Sequence, residues 1–356
     1  MLDCIVKFSY TQYMLTLTQA SEETKEILKW GGLFLAGLFI CLVILRIFLY
    51  VKDWFFPSPP PKVTVAFGQL PMQVFPQNST NAKLTYSLNT LSGDTPNLQN
   101  QTKVFRITQF QSDLLAYART QDMVSKIGFY SKPTALSDRA FEWSDSYNRD
   151  IKIDIITHNF AFTYPYLSDT SVLSGTNLSA SQALGTAKGM LNNMELYAND
   201  IDESKTQTHS YSFNSNNKFI LSTSLSNSQV VEVDFMQQDV DSLPIYYEKP
   251  NYSSMNFLVG GGGKVIGANY VHQTISEESA TYPIKTAKLA YDELQKGKGY
   301  IASYFGSSSN ISVRNIFLAY YMSGNTQYFL MPIFVFQGDN GFYAYVPAVT
   351  DEWISK

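Results

Sequence analysis

Hydrophobic and polar positions alternate in three distinct ways along this chain, and the first is no alternation at all. From Trp30 to Val51, WGGLFLAGLFICLVILRIFLYV, the sequence is apolar apart from Arg46. A helix over that stretch would be roughly 33 Å long against a hydrocarbon core of about 30 Å, so it predicts one membrane crossing. The stretch exceeds a signal h-region, lacks a small-x-small cleavage site before the prolines, and has Ile40 ahead of Cys41 where a lipoprotein site needs a small residue. An uncleaved signal anchor is expected.

Beyond the anchor, period-two runs predict strands at Val63, Lys83–Leu88, Lys103–Ile107, Arg149–Thr157 and Ala161–Tyr164. Further runs lie at Lys218–Thr223, Val230–Met236, Met255–Val259, Lys264–Val271, Ile311–Met322, Tyr328–Gln337 and Phe342–Val346. Gly324-Asn325 and Gly338-Asp339-Asn340-Gly341 read as turns of an antiparallel sheet, with Pro332 on an edge or at a bulge. Three stretches follow the helical period instead. Ser112 opens one in which Leu114, Tyr117, Ala118 and Val124 share a face, ending before Gly128. Ser179 opens the clearest, with Gln182 at capping-box spacing and Ala180, Ala183, Leu184, Ala187, Leu191 and Met194 on one face. Thr286 opens the last, with Ala287, Ala290, Tyr291 and Leu294 together and Gly297 at its C′ position.

The helices opened by Ser179 and Thr286 begin 107 residues apart, each after a set of strands. That spacing predicts a duplicated sheet-plus-helix unit in an α+β fold. The expected organisation is a cytoplasmic segment 1–29, the span 30–51, a proline-rich stalk 52–62, and two repeat domains, 63–205 and 206–356. Ser21, Glu22 and Glu23 are expected to start a helix running into the span, with acids near its positive end. Lys52, Asp53, Trp54, Phe55 and Phe56 would sit at the far interface, and Arg46 would carry its guanidinium there too.

Orientation is not decided by charge close to the span, since Lys25 and Lys29 balance Lys52 and Lys62. The roughly 300 residues that follow contain no cysteine and have Asn-, Ser-, Thr- and Tyr-rich loops, which places the body outside the cytoplasm in this reading. Cys4 and Cys41 precede and lie within the span, so no disulfide framework is expected. A net charge of −4 excludes a nucleic-acid binder built on a basic surface. Within the span, Gly32 and Ala36, and Gly37 and Cys41, stand one turn apart, where small residues admit a partner helix.

Candidate chemistry is sparse. His158, His209 and His272 lack metal-ligand spacing, no serine has a GxSxG setting, and GGGGK at Gly260–Lys264 departs from a phosphate loop at both Leu258 and Val265, so a hairpin turn is expected. Asp200 and Asp202 begin like a calcium loop but have Lys205 at the turn-glycine position and Tyr211 at the closing carboxylate. Asp234, Asp239 and Asp241 lack both features too. No catalytic residue, cofactor or metal is therefore expected. Sequons occur at Asn78, Asn100, Asn177, Asn251 and Asn310.

The segments VVEVDFMQQDVDSLPIYYE, YPIKTAKLAYDELQKGKGYIA and IFLAYYMSGNTQYFLMPIFVFQGDNGFYAYVPAV, within Val230–Val349, resemble the YycH/YycI regulatory family and the related PepSY-type repeats. The resemblance implies a single-pass bacterial cell-envelope protein whose extracytoplasmic body modulates a membrane sensor kinase by protein contact. The alternative expectation is a scaffold subunit of a secretion or pilus-type assembly, using the same anchor and repeats. Either way the expected partners are the membrane, through residues 30–51, and other membrane or envelope proteins.

Overall fold

A computed structural model describes residues 17–55, 62–80, 83–173, 178–214, 216, 218–222 and 228–355. Two compact units emerge, one ending at Pro61 and one running from Lys62 to Lys356.

In the first unit a single helix, α1 (Leu17–Phe55), contains a 21-residue stretch, Leu28–Phe48, that is long and apolar enough to cross a membrane and is exposed. The helix starts four residues before Ser21 and has no acid in its first turn, so Glu22 and Glu23 stand further along it than expected. It continues through Lys52, Asp53 and Trp54. The stalk prolines, Pro57, Pro59, Pro60 and Pro61, all lie outside the described residues, as does Cys4.

The second unit is built on two sheets. The larger is antiparallel throughout and runs β3 (Thr134–Ala135), β4 (Ala140–Ser144), β5 (Asp150–Asp154), β6 (Phe160–Thr163), β12 (Val265–Tyr270), β11 (Met255–Gly260), β9 (Val230–Gln237), β7 (Ile201–Phe213), β8 (Phe219–Leu221). The other runs β1 (Thr85–Leu88), β15 (Asn310–Tyr321), β16 (Phe329–Gly338), β17 (Tyr343–Pro347), β14 (Tyr300–Ser303). To it are added β2 (Gln101–Ile107) beside β16, β13 (Ile275–Pro283) beside β2, and the short β10 (Ile245–Tyr246) beside β15. Among the described strands only β1 and β10 pair in parallel, both with β15.

Each sheet is covered on one face by a helix whose start the sequence announces. Ser179 caps α3 (Ala180–Asn193) in a complete capping box with Gln182, worth about 1 kcal/mol. Its Ala183, Ala187 and Leu191 pack on Val231, Val233 and Phe235 of β9 and on Phe257 of β11 in one apolar cluster. Thr286 caps α4 (Ala287–Gln295), and Ala290 and Leu294 join Phe334, Phe336 and Val346 in a second cluster. Gly297 follows at φ +75°, a left-handed position that a glycine takes without strain. Lys285, just ahead of α4, is buried but paired with Glu293 at 3.0 Å and Asp351 at 2.8 Å, which offsets its desolvation.

Several expectations change here. The boundary expected at 205/206 falls inside β7, and each sheet draws strands from both sides of it, so the two sheet-plus-helix layers are interleaved rather than consecutive. The helix expected from Ser112 is α2 (Ala116–Ser125), and its buried face is Ala116, Thr120 and Val124. Leu114 is fully exposed, because the Asp113 carboxylate accepts from the Leu115 amide in a turn ahead of the helix.

The strand expected at Val63 is an irregular strap. Thr64 and Val65 both donate to the Thr281 carbonyl, Val65 stands at φ 40°, a strained value for a β-branched residue, and Gly68 turns the chain back. The strap then exchanges hydrogen bonds between Leu70 and the C-terminal Trp353 and Ser355, and inserts Phe75 among Tyr300, Tyr321 and Tyr345.

Pro332 lies neither on an edge nor at a bulge. It stands in β16, flanked by β15 and β17, where its carbonyl accepts from Ala348 N just past the end of β17. The Ala348 carbonyl accepts from the Lys285 amide instead, so the missing proline donor leaves nothing unpaired.

Candidate functional site

Side chains alternate along β9, and the two faces differ in kind. Val231, Val233 and Phe235 enter the α3 core, while Glu232 and Asp234 belong to the opposite face. Pairing sets His209 of β7 beside Glu232, and Gln207 of β7 and Asn256 of β11 beside Asp234, with Asn269 of β12 next in the row. This polar face contributes one wall of a cleft of about 840 Å³. Residues Ala302–Phe305 at the end of β14, together with Gly341 and Tyr343, contribute another, and the segment Tyr247–Ser254 closes one end.

The polar row lashes that segment down. Asn256 Nδ2 donates to the Ser253 carbonyl at 3.0 Å, Asn269 Nδ2 to the Ser254 carbonyl at 3.3 Å, and Ser253 N to Asp234 Oδ1 at 2.8 Å. His209 Nε2 lies 2.9 Å from the Asn251 carbonyl, and its ring stacks on Tyr252 with centroids 4.2 Å apart. The Asp234 side chain is wholly buried. Its Oδ2 has no hydrogen-bond partner and stands 3.9 Å from His209 Nε2.

Burial, reinforced by the Glu232 charge, pushes the Asp234 carboxyl up to about 8, so it is held neutral at neutral pH. Burial, with hydrogen bonds to Tyr252 and Glu232, likewise drives the Tyr211 phenol far above its usual range, leaving it a donor to Glu232 Oε2 at 2.8 Å. Among the described residues no cation is within ion-pair distance of Glu232 or Glu248, although both line the cleft. The site thus combines amide and hydroxyl groups, tyrosine rings and two carboxylates that have hydrogen-bond donors but no counter-ion among the described residues, the groups that hold a polar main chain or a cation.

His272 belongs to a separate cluster. Its Nε2 lies 2.8 Å from Asp200 Oδ1, while Gln237 Nε2 donates to Asp200 Oδ2 at 2.7 Å. Burial opposes the Asp200 charge, yet His272 and Gln237 together hold its carboxyl below the ordinary value. Gln273 continues the network by donating to the Ser323 and Asn325 carbonyls, which ties the larger sheet to the turn between β15 and β16. His158 stands at φ 57° outside both clusters, and burial lowers its pKa.

The remaining aspartates of the calcium-like runs face protein partners. Asp202 is in β7 and accepts from Ser204, Asp239 pairs with Lys205 at 2.6 Å, and Asp241 pairs with Lys103 at 2.8 Å. Among the described residues no three His, Cys, Asp or Glu side chains converge as metal ligands would. Gly260–Lys264 is the hairpin turn between β11 and β12.

Gly32, Ala36, Gly37 and Cys41 all fall on α1, are exposed, and keep their one-turn spacing. A β-carbon built on Gly32 or Gly37 meets no atom of the chain within 4 Å. The cleft residues carried no motif, but one signal was present: two acids at alternate positions of the otherwise apolar run VVEVDF, where a strand facing only a core would have none.

No family model matches the chain, and no curated protein does. Among solved structures, it is similar to an uncharacterized protein from Eubacterium rectale, at 15% identity over 78% of this chain and 87% of that one, with a TM-score of 0.40. It is similar also to the C-terminal domain of YpeB from Bacillus megaterium, at 13% identity over 68% of this chain and 95% of that one, with a TM-score of 0.33.

Proposed function

We propose that this chain is a single-pass membrane protein whose body, outside the cytoplasm, regulates a membrane sensor or envelope complex through protein contacts. The observation that carries this reading is the pairing of one unburied 21-residue apolar helix with a separately compact body of mixed sheet and helix. The sequence resemblance of Val230–Val349 to YycH/YycI-type regulators supports it, and so does a cleft furnished for recognition. The body is not assigned a reaction: its most perturbed carboxyl, Asp234, is sealed under the segment Tyr247–Ser254, and its raised tyrosines are protonated donors.

Protease added to intact spheroplasts tests the proposal. The body from Lys62 onward should be degraded, while full protection of it would place it in the cytoplasm and overturn the reading.

A further inference from the structure

Among the described residues Glu232 and Glu248 have no counter-ion, and both line the cleft of about 840 Å³. Exposed acids usually need no partner, because water solvates them. Glu232 is different: it is partly buried, holds Tyr211 by one oxygen, and has the neutral Asp234 two residues on in the same strand and His209 across from it. Glu248 is also partly buried, and one of its oxygens accepts from the Gly324 amide at 3.1 Å. Lys249 is the one cation lining the cleft among the described residues, and it is exposed. A cation entering the cleft would find the Glu232 and Glu248 carboxylates and the rings of Tyr211, Tyr252, Tyr304 and Tyr343 in its lining.

The main chain at the same cleft points to what would carry that cation. β14 is the last strand of its sheet, with β17 on one side only. On its open side Ile301 is met by a bend of this chain: Ser79 N donates to the Ile301 carbonyl at 2.9 Å, and Ile301 N donates to the side-chain Oδ1 of Asn78 at 2.8 Å. Ser79 and residues Ala302–Phe305 then border the cleft, and Phe305 stands 84% exposed at its rim. Beyond that capped position the edge continues along the cleft, and a sheet edge facing a cleft is what strand-adding domains offer to an extended peptide.

We propose that the cleft binds an extended peptide of a partner protein, aligned on the β14 edge and read by a lysine or arginine side chain between Glu232 and Glu248. This rests on the reading of the protein as one that acts through protein contacts. It goes further in naming the surface, the conformation and the charge of what is bound. Charge complementarity favours this occupant over an acidic peptide or a nucleic acid, whose groups would face the two carboxylates.

The test uses the full chain in detergent and fluorescein-labelled nonapeptides of alternating Ser and Val with a central Arg, Gln or Glu, read by fluorescence anisotropy. The Arg peptide should bind about tenfold more tightly than the Gln peptide, and the Glu peptide more weakly still. Glu232→Gln with Glu248→Gln should abolish the Arg preference in a protein that still unfolds cooperatively, whereas neutralising the exposed Asp138 and Glu277 should leave it intact. Phe305→Ala should weaken the Arg and Gln peptides alike.

An Arg preference that is absent, or lost equally when Asp138 and Glu277 are neutralised, overturns the proposal. So does spermidine that competes as well as the peptide, since the edge then contributes nothing. Any of these results leaves the protease test of topology standing, while a body protected from protease removes the broader reading without touching the peptide data.

Discussion

Replacing Asp234 by asparagine should stabilise this protein at neutral pH, although it removes a buried group in the middle of a sheet. The substitution keeps the shape and the oxygen that accepts from Ser253 N. What it removes is a carboxyl whose side chain has no exposure, whose second oxygen has no partner, and which stands beside Glu232 and 3.9 Å from His209. Folding raises its pKa from 3.8 to about 8, chiefly by burial.

The direction of the effect follows from that shift. A group with a raised folded-state pKa favours folding fully below its unfolded value and loses that contribution as pH rises toward its folded value. In the wild type the cost therefore grows between about pH 4 and pH 8 and then levels off. At pH 7 three pKa units are engaged, roughly 4 kcal/mol at about 1.4 kcal/mol per unit. Asparagine, which does not titrate, carries none of this.

Urea and thermal unfolding of wild type and Asp234→Asn at pH 4, 7 and 8.5 should show near-equal stability at the first. At pH 7 the variant should melt on the order of 8 °C higher, with the largest gap at pH 8.5. A gap that does not depend on pH, or a variant less stable at pH 7, would refute the argument that the carboxyl is buried neutral.

Three further outcomes are expected. Gly260→Ala would place a methyl carbon 2.3 Å from the Val172 carbonyl oxygen, so it should destabilise the body by about 1–3 kcal/mol in urea unfolding, while the neighbouring Gly263→Asn, at φ +73°, should cost little. Phe75→Ala removes the ring that stacks on Tyr300 and meets Tyr321 edge-on; it should cost about 2–3 kcal/mol, and limited proteolysis should then cut first within residues 66–80. Gly37→Leu should reduce recovery of membrane partners in matched detergent without altering the melting of the body, and equal recovery would remove that helix face from any interface.

What could be read along the sequence is what local chemistry decides. The helix long and apolar enough to cross a membrane needs only its own run of apolar residues. The starts of α3 and α4 need only a hydroxyl followed three residues later by a backbone or amide partner, as at Ser179 and Gln182 or Thr286 and Leu289. The hairpin at Gly260–Lys264 and the turn at Gly338–Gly341 are equally local, since glycine and asparagine supply the positive φ found at Gly263, Asn340 and Gly341.

What escaped the sequence was decided by partners far along the chain. β7, IDESKTQTHSYSF, and β13, ISEESATYP, lack an apolar alternation because their strand character comes from pairing with β9 and β2. The interleaving of the halves could not be seen from a 107-residue spacing, because β1 and β2 precede the whole larger sheet yet complete the other one. The cleft exists only where the polar face of one sheet meets the open edge of the other. Asp234 becomes a neutral buried acid there because the segment carrying Ser253 folds over it, an enclosure that no neighbour of Asp234 in sequence can impose.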